Sequence, residues 1–255
     1  MAFSPDFRVV PSQTAASTDV MDAGLRSYML RVYNWMASGL LLTGAVATAI
    51  ANSSLMDLFY PAVRTQFGIS HQPTALAFVA MLAPLAFVMV LSFGVNRLST
   101  KTAQALFWAY CAVMGASMTN IFAIYTGASV ARVFFITAAT FAATSLYGYT
   151  TKADLSRFGS FLVMGVVGLI IASLVNMFLQ SSAMQWAISF IGVGIFVGLT
   201  AYDTQRIKGD YIQYAYAEGS DQAAKRSVYD ALGLYLNFVN LFQFLMQFMG
   251  VRNNN

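Results

Sequence analysis

Two carboxylates stand where apolar sequence meets polar sequence. Asp203 closes the run Leu199-Thr200-Ala201-Tyr202-Asp203, and Asp230 lies in Tyr229-Asp230-Ala231-Leu232 at the start of the last apolar run. A carboxylate at a membrane boundary is costly unless it is paired or hydrated. Arg97 ends the second apolar run, at the same expected level. An Asp203–Arg97 pair would neutralise both charges, and protonating Asp203 would release it, which is the chemistry of a proton-operated gate. The plain alternative is an interfacial Asp203 in headgroup water, with Arg97 as a topological anchor. Asp230 and Asn237 are seven residues apart and so share nearly one helical face, which Asn240 approaches three residues later. A polar stripe on an otherwise apolar helix belongs in a bundle interior. Asp203, Arg97 and Asn237 are thus the candidate gating residues, with Asp230 and Asn240 auxiliary.

Other chemistries fit poorly. Cys111 and His71 are the sole cysteine and histidine, which rules out a disulfide within one chain and argues against a His/Cys zinc site. There is no HExxH, and one loop histidine cannot complete a Ser-His-Asp set in the membrane. Tyr202-Asp203 lacks the GxGD partner of an intramembrane aspartyl protease, since Gly209-Asp210 lies in polar sequence. No lysine for a retinal occurs in 228–250, and no two halves resemble each other as in many secondary transporters. No enzymatic activity and no resident cofactor are expected. The methionines form no tight cluster and read as packing. Ser117, Thr119, Asn120 and Asn176 read as interhelical glue, each contributing about 1 kcal/mol.

These residues must be positioned by membrane helices. Of 255 residues, 58% are hydrophobic and only 9% charged, against roughly 25% charged in a soluble domain. Apolar runs of about 20 residues, the length of a crossing, lie near 29–51, 74–95, 103–125, 129–149, 159–179, 183–203 and 228–250. Lipid offers the backbone no partners, so they must be helical. The expected architecture is an all-α bundle of seven transmembrane helices: a polar N-terminal tail, 1–24, and a single membrane domain, 25–255. The tail has no cleavable signal pattern, so the first run should be an uncleaved anchor. Only Gln180, Ser181 and Ser182 join the fifth and sixth spans, implying a tight hairpin. Small-residue steps Gly168/Ala172 and Gly194/Gly198 suit close packing of those two helices. The polar stretch 204–227 reads as a solvated linker.

With the N-terminus cytoplasmic, the inside holds Arg8, Arg26, Arg31, Arg97, Lys101, Lys152, Arg157, Arg206, Lys208, Lys225 and Arg226, and the outside Arg64, Arg132 and Arg252. This positive-inside bias sets the N-terminus in and, with seven spans, the C-terminus out. The net charge of +4 is therefore topological and no nucleic-acid signal.

The chain resembles the Bax inhibitor-1 (transmembrane Bax inhibitor motif) family, in its bacterial YccA-like branch. The resemblance covers nearly everything after residue 24. It is carried by Arg31-Val32-Tyr33 through Thr43-Gly44, Tyr147-Gly148-Tyr149-Thr150 to Ser160, Tyr202-Asp203-Thr204-Gln205, and Leu234-Tyr235-Leu236-Asn237-Phe238-Val239-Asn240-Leu241-Phe242. It implies a seven-helix bundle in which two aspartates, from the sixth and seventh helices, share a proton and an arginine from the second helix latches onto one. It also implies a pH-sensitive calcium leak or a modulator of cell death or membrane-protein quality control, here in a bacterial inner membrane. Asp203 matches the first aspartate and Arg97 the arginine. The second aspartate is replaced: the family's Leu-Tyr-Leu-Asp is Leu234-Tyr235-Leu236-Asn237. Asparagine keeps the hydrogen bonds but not the charge, so calcium contact at Asp203 should be weak.

Two functions follow as expectations. One is a calcium or cation leak gated at Asp203–Arg97. The other is a non-conducting regulator that binds a membrane protease or other quality-control partner. The topology has its own test: an accessibility tag at the C-terminus should report outside, and a cytoplasmic reading would contradict seven spans.

Overall fold

The computed structural model describes residues 13–65, 68–94, 98–214 and 220–253. In chain order the elements are α1 (Gln13–Ala51), α2 (Leu55–Phe59), β1 (Ala62–Thr65), β2 (Gly68–His71), α3 (Ala75–Gly94), α4 (Thr100–Ser117), α5 (Asn120–Ile124), α6 (Gly127–Thr150), α7 (Ser156–Leu179), α8 (Ser182–Tyr214) and α9 (Ser220–Met249). Among the described residues six segments are long and apolar enough to cross a membrane: Met21–Ala51, Thr100–Ile124, Gly127–Thr150, Ser156–Leu179, Ser182–Tyr214 and Asp221–Met249. The expected second span is also helical, as α3, a 20-residue apolar helix with Pro84 inside it.

Local chemistry marks several ends. The Ser99 hydroxyl accepts from the Thr102 amide to open α4, and Thr126 accepts from Ser129 to open α6. At the start of α7 the Asp154 carboxylate accepts from the Ser156 amide at 2.9 Å. The Ser156 backbone N–H, and then its hydroxyl, hold the Asp154 carboxyl below the usual carboxylate range. At the other end of α7, Gln180 turns the chain in the left-handed region, φ 48°. The Asn176 side chain accepts from Ser181 N and donates to Gln185, so it holds the hairpin expected at 180–182.

The structure departs from the sequence reading in four places. The linker expected at 204–227 is largely helical: α8 continues to Tyr214 and α9 starts at Ser220. Asp203 therefore lies inside a helix, not at its end. Apolar count stops a span where polar residues begin, but an α-helix already nucleated propagates through them at little cost, and Ile207 is buried on the extension. The N-terminal tail likewise becomes helical from Gln13. The third span is divided: Met118 and Thr119 turn between α4 and α5, and the Thr119 hydroxyl bonds back to Gly115 O. Lastly, the first long loop carries an antiparallel hairpin pairing Ala62 with His71 and Thr65 with Gly68.

α9 is the axis of the bundle. It packs against α8, α1, α6 and α4, and Leu234, Tyr235 and Leu241 are fully buried along it. α7 packs on α8 and turns Phe161, Met164 and Phe178 outward, as a lipid-facing helix does. A Cβ at Gly165 would run into Ile195 and one at Gly198 into Leu162, whereas at Gly168 and Gly194 it would meet nothing within 4 Å. Only part of the small-residue pattern thus serves the α7–α8 contact.

α6 comes close to the α8 backbone at Gly148, where a Cβ would run into the Ala201 carbonyl and its Cα. Gly148→Ala should therefore separate α6 from α8 and destabilise the protein by about 1–3 kcal/mol. Gly168→Ala, in open space, should stay within about 0.5 kcal/mol. Thermal unfolding in detergent compares the two.

Candidate functional site

The site lies where α8 and α9 run side by side at one end of the bundle. From Ser182 to Asp203 α8 rises about 31 Å, close to the thickness of the hydrocarbon core, roughly 30 Å. Asp203 thus sits at a membrane boundary although its helix continues. Thr200, Thr204 and Ile207 are fully or nearly fully buried on neighbouring turns. The Asp203 carboxylate points to α9, where Asn237 Nδ2 donates to Oδ2 at 2.6 Å. Arg206, one turn on, places Nη2 3.0 Å from Oδ1; the Asp203 side chain is 14% exposed and that of Arg206 45%. Both oxygens are therefore engaged, one across the helix interface and one within α8. With Arg206 half in solvent, the ion pair itself contributes little. The bond to Asn237, which is only 6% exposed, is the one that ties two helices together.

Asp230 is satisfied separately. The buried Tyr28 of α1 donates its hydroxyl to Oδ2 at 2.5 Å. Arg206, Arg226 and Asp210 are the charged groups around Asp230, and Arg206 acts on Asp203 as well. The two acids thus share a cation without sharing a hydrogen bond. Asn240 turns away from both, donating to Leu236 O of its own helix at 2.9 Å.

Arg97, the expected partner of Asp203, lies outside the described residues, and the cation found on Asp203 is Arg206. The signal for Arg206 was the Asp203/Arg206 spacing on a helix. It was missed because the sixth span was taken to end at Asp203. A second miss is the hydroxyl series beside the site. The Tyr33 hydroxyl of α1 meets Ser145 Oγ of α6, which lies 2.9 Å from Thr204 Oγ1 of α8. Gln205 then clasps the α6–α7 turn, accepting from Leu155 N and donating to Ala153 O, each at 2.8 Å. Lys208 donates to Tyr149 O at 2.9 Å and lies over the Tyr149 ring. Polar spacing alone reveals none of these, because each partner comes from a distant part of the chain.

Among the described residues no three His, Cys, Asp or Glu side chains converge as metal ligands. Asp203 offers one carboxylate beside a neutral amide and a cation. A divalent ion reaching it would have to displace Arg206.

A family model described as "Inhibitor of apoptosis-promoting Bax1" matches residues 25–254. The chain belongs to this family. Inner membrane protein YbhL of Escherichia coli K12, one relative of this Bax inhibitor family protein, is 45% identical over 233 residues, covering 90% of this chain and 94% of the relative. An uncharacterized protein of Caulobacter vibrioides is 46% identical over 246 residues, 95% of each chain. One of Rickettsia prowazekii is 45% identical over 242 residues, 94% of this chain and 96% of the relative. With its apolar helices, this membership makes the protein an integral protein of a bacterial inner membrane.

Replacing Asn237 by an acid tests the geometry at Asp203. Two ionised carboxylates at hydrogen-bond distance repel, so folded Asn237→Asp has to keep a proton that its unfolded chain releases above about pH 4. The folded state then binds more protons than the unfolded one, and stability falls as pH rises. The loss of melting temperature between pH 5 and pH 8 should be larger in Asn237→Asp than in the parent; equal losses would place residue 237 away from Asp203.

Proposed function

We propose that the protein is a slow calcium or cation leak of the inner membrane, held shut by Asp203 and opened when Asp203 is protonated. The observation that supports this is the double engagement of Asp203 by Asn237 of α9 and Arg206 of α8. An ionised Asp203 accepts from both donors and joins the two helices. A protonated Asp203 loses its attraction for Arg206 and the charge that strengthens the Asn237 bond. The α8–α9 contact then loosens, Arg206 is free to move towards Asp230, and a polar route opens beside Asn237. Gating needs no enzyme chemistry and no resident cofactor; calcium is cargo.

In the same reading α3 completes seven spans, with the N-terminus cytoplasmic and the C-terminus outside. The packing supports this. The Asp203 end also gathers Tyr28, Tyr149, Lys208 and Thr100, which bonds to Asp221 O. The opposite end joins Gln185 to Gln247 and pairs Tyr125 with Arg252. Lys208, the basic residue of the first set, is one that the charge bias puts inside, and Arg252 of the second is one it puts outside.

A second reading has one observation in its favour. Arg206 stands on the carboxylate that contacts Asn237, which suits a locked structural tie better than an ion path. The protein would then be a non-conducting regulator of a membrane protease or another quality-control partner.

Calcium flux into proteoliposomes, measured across pH, separates the two. The leak should rise several-fold as pH falls below neutral. Asp203→Asn, which mimics the protonated side chain, should leak at every pH and lose most of its pH response. No flux at any pH, or an unaltered profile in Asp203→Asn, removes the leak. In that event, recovery of one stable membrane partner by crosslinking in native membranes would favour the regulator.

A further inference from the structure

We infer that the cleft between α1 and α6 is a binding site for one anionic glycerophospholipid, drawn from the leaflet on the Asp203 side. The inference stands apart from the leak, since it uses a different face of the bundle. α1 and α6 do not pack closely on each other; near the site they are bridged by Tyr33 and Ser145. Between them lie two adjoining cavities, of about 730 Å³ and about 880 Å³, that share Leu40, Leu41, Phe134 and Phe238 as lining. Phe238 of α9 is the common floor.

The lining is apolar along the cleft and basic at its mouth. Arg26 lines the cavity nearer the Asp203 end, together with Tyr149. Lys208 is engaged with the Tyr149 ring and carbonyl, which leaves Arg26 as the cation among the residues lining this cavity. Arg26 is exposed and makes no ion pair among the described residues, not even with the exposed Asp22 one turn before it. An arginine at this height presents a planar fork that fits a phosphate. From Arg26 to Leu41 the α1 wall rises about 22 Å. One leaflet's apolar half is about 15 Å deep, so a phosphate at Arg26 would lay its acyl chains along the full lower cleft. Leu41 and Phe135 are strongly exposed on the walls, where acyl chains would cover them. Basic groups near a bilayer surface favour anionic lipid by about 1 kcal/mol each, a roughly five-fold preference per cation.

Native mass spectrometry of the purified chain, incubated with equal amounts of phosphatidylglycerol and phosphatidylcholine, reads this directly. One phosphatidylglycerol should be retained at least five-fold over phosphatidylcholine. Arg26→Gln, at an exposed position, should bring the two lipids to parity. Ala142→Trp, which fills the cleft from α6, should reduce retention of both several-fold. Equal retention in the parent, or a preference unchanged in Arg26→Gln, overturns the site even if Ala142→Trp fails to fold. A photo-crosslinker at Leu41 in native membranes should yield a lipid adduct; a protein adduct instead would give the cleft to a partner helix and overturn the lipid.

Discussion

Polar side chains on the central helix have nowhere to go in lipid, and the bundle is built around that constraint. α9 carries Asp230, Tyr235 and Asn237 within three turns. An unpartnered polar group in hydrocarbon costs several kcal/mol. Each of the three is met by a different residue of another helix. Tyr28 of α1 donates to Asp230, Thr43 of α1 lies 2.6 Å from the Tyr235 hydroxyl, and Asp203 of α8 accepts from Asn237. Thr43 also donates to Cys111 O of α4, which ties a fourth element to the same axis. The aromatic rings Phe107, Tyr110 and Tyr235 pack edge to face around this line. Satisfying α9 therefore dictates which helices surround it and at which register.

Two of these ties end on a carboxylate, and the one to Asp203 also carries an arginine. Tyr235 and Thr43 remain neutral through ordinary pH, so their bond is a fixed strut. Asp203 is a carboxylate near a boundary, with a partly exposed arginine on its other oxygen. Its tie to α9 therefore joins a titratable group to a neutral amide. The α7 helix packs on α8 on the far side, and Gln205 clasps the α6–α7 turn. A displacement of α8 at Asp203 would thus be passed to α6 and α7 through contacts already in place. The contacts at Asp203 are those of one carboxylate with one amide and one arginine.

The helical class, the positions of six spans and the polar interruptions at Asp203, Asp230 and Asn237 were legible in the chain, because hydrophobic length and stray charge are properties of single segments. The polar stripe on α9 was readable from its period. What lay beyond reach depended on two segments at once. The extension of α8 past Asp203 was hidden because polar residues end an apolar run without ending a helix, and with it went Arg206. The partners Tyr28 and Thr43 look like ordinary members of α1 until α9 is laid beside them. Asn240, on the same face as Asn237 by spacing, satisfies itself on Leu236 O, a choice that spacing does not express.

The central claim is that the proton on Asp203 sets the distance between α8 and α9 beyond Asp203. Spin labels at Gly209→Cys and Gln222→Cys, both exposed, report that distance in lipid by pulsed electron resonance, and Cys111 is buried away from label. A separation that widens on acidification in the parent, and is wide at all pH in Asp203→Asn, is the expected result. A separation that stays the same across pH and in Asp203→Asn would contradict the gate.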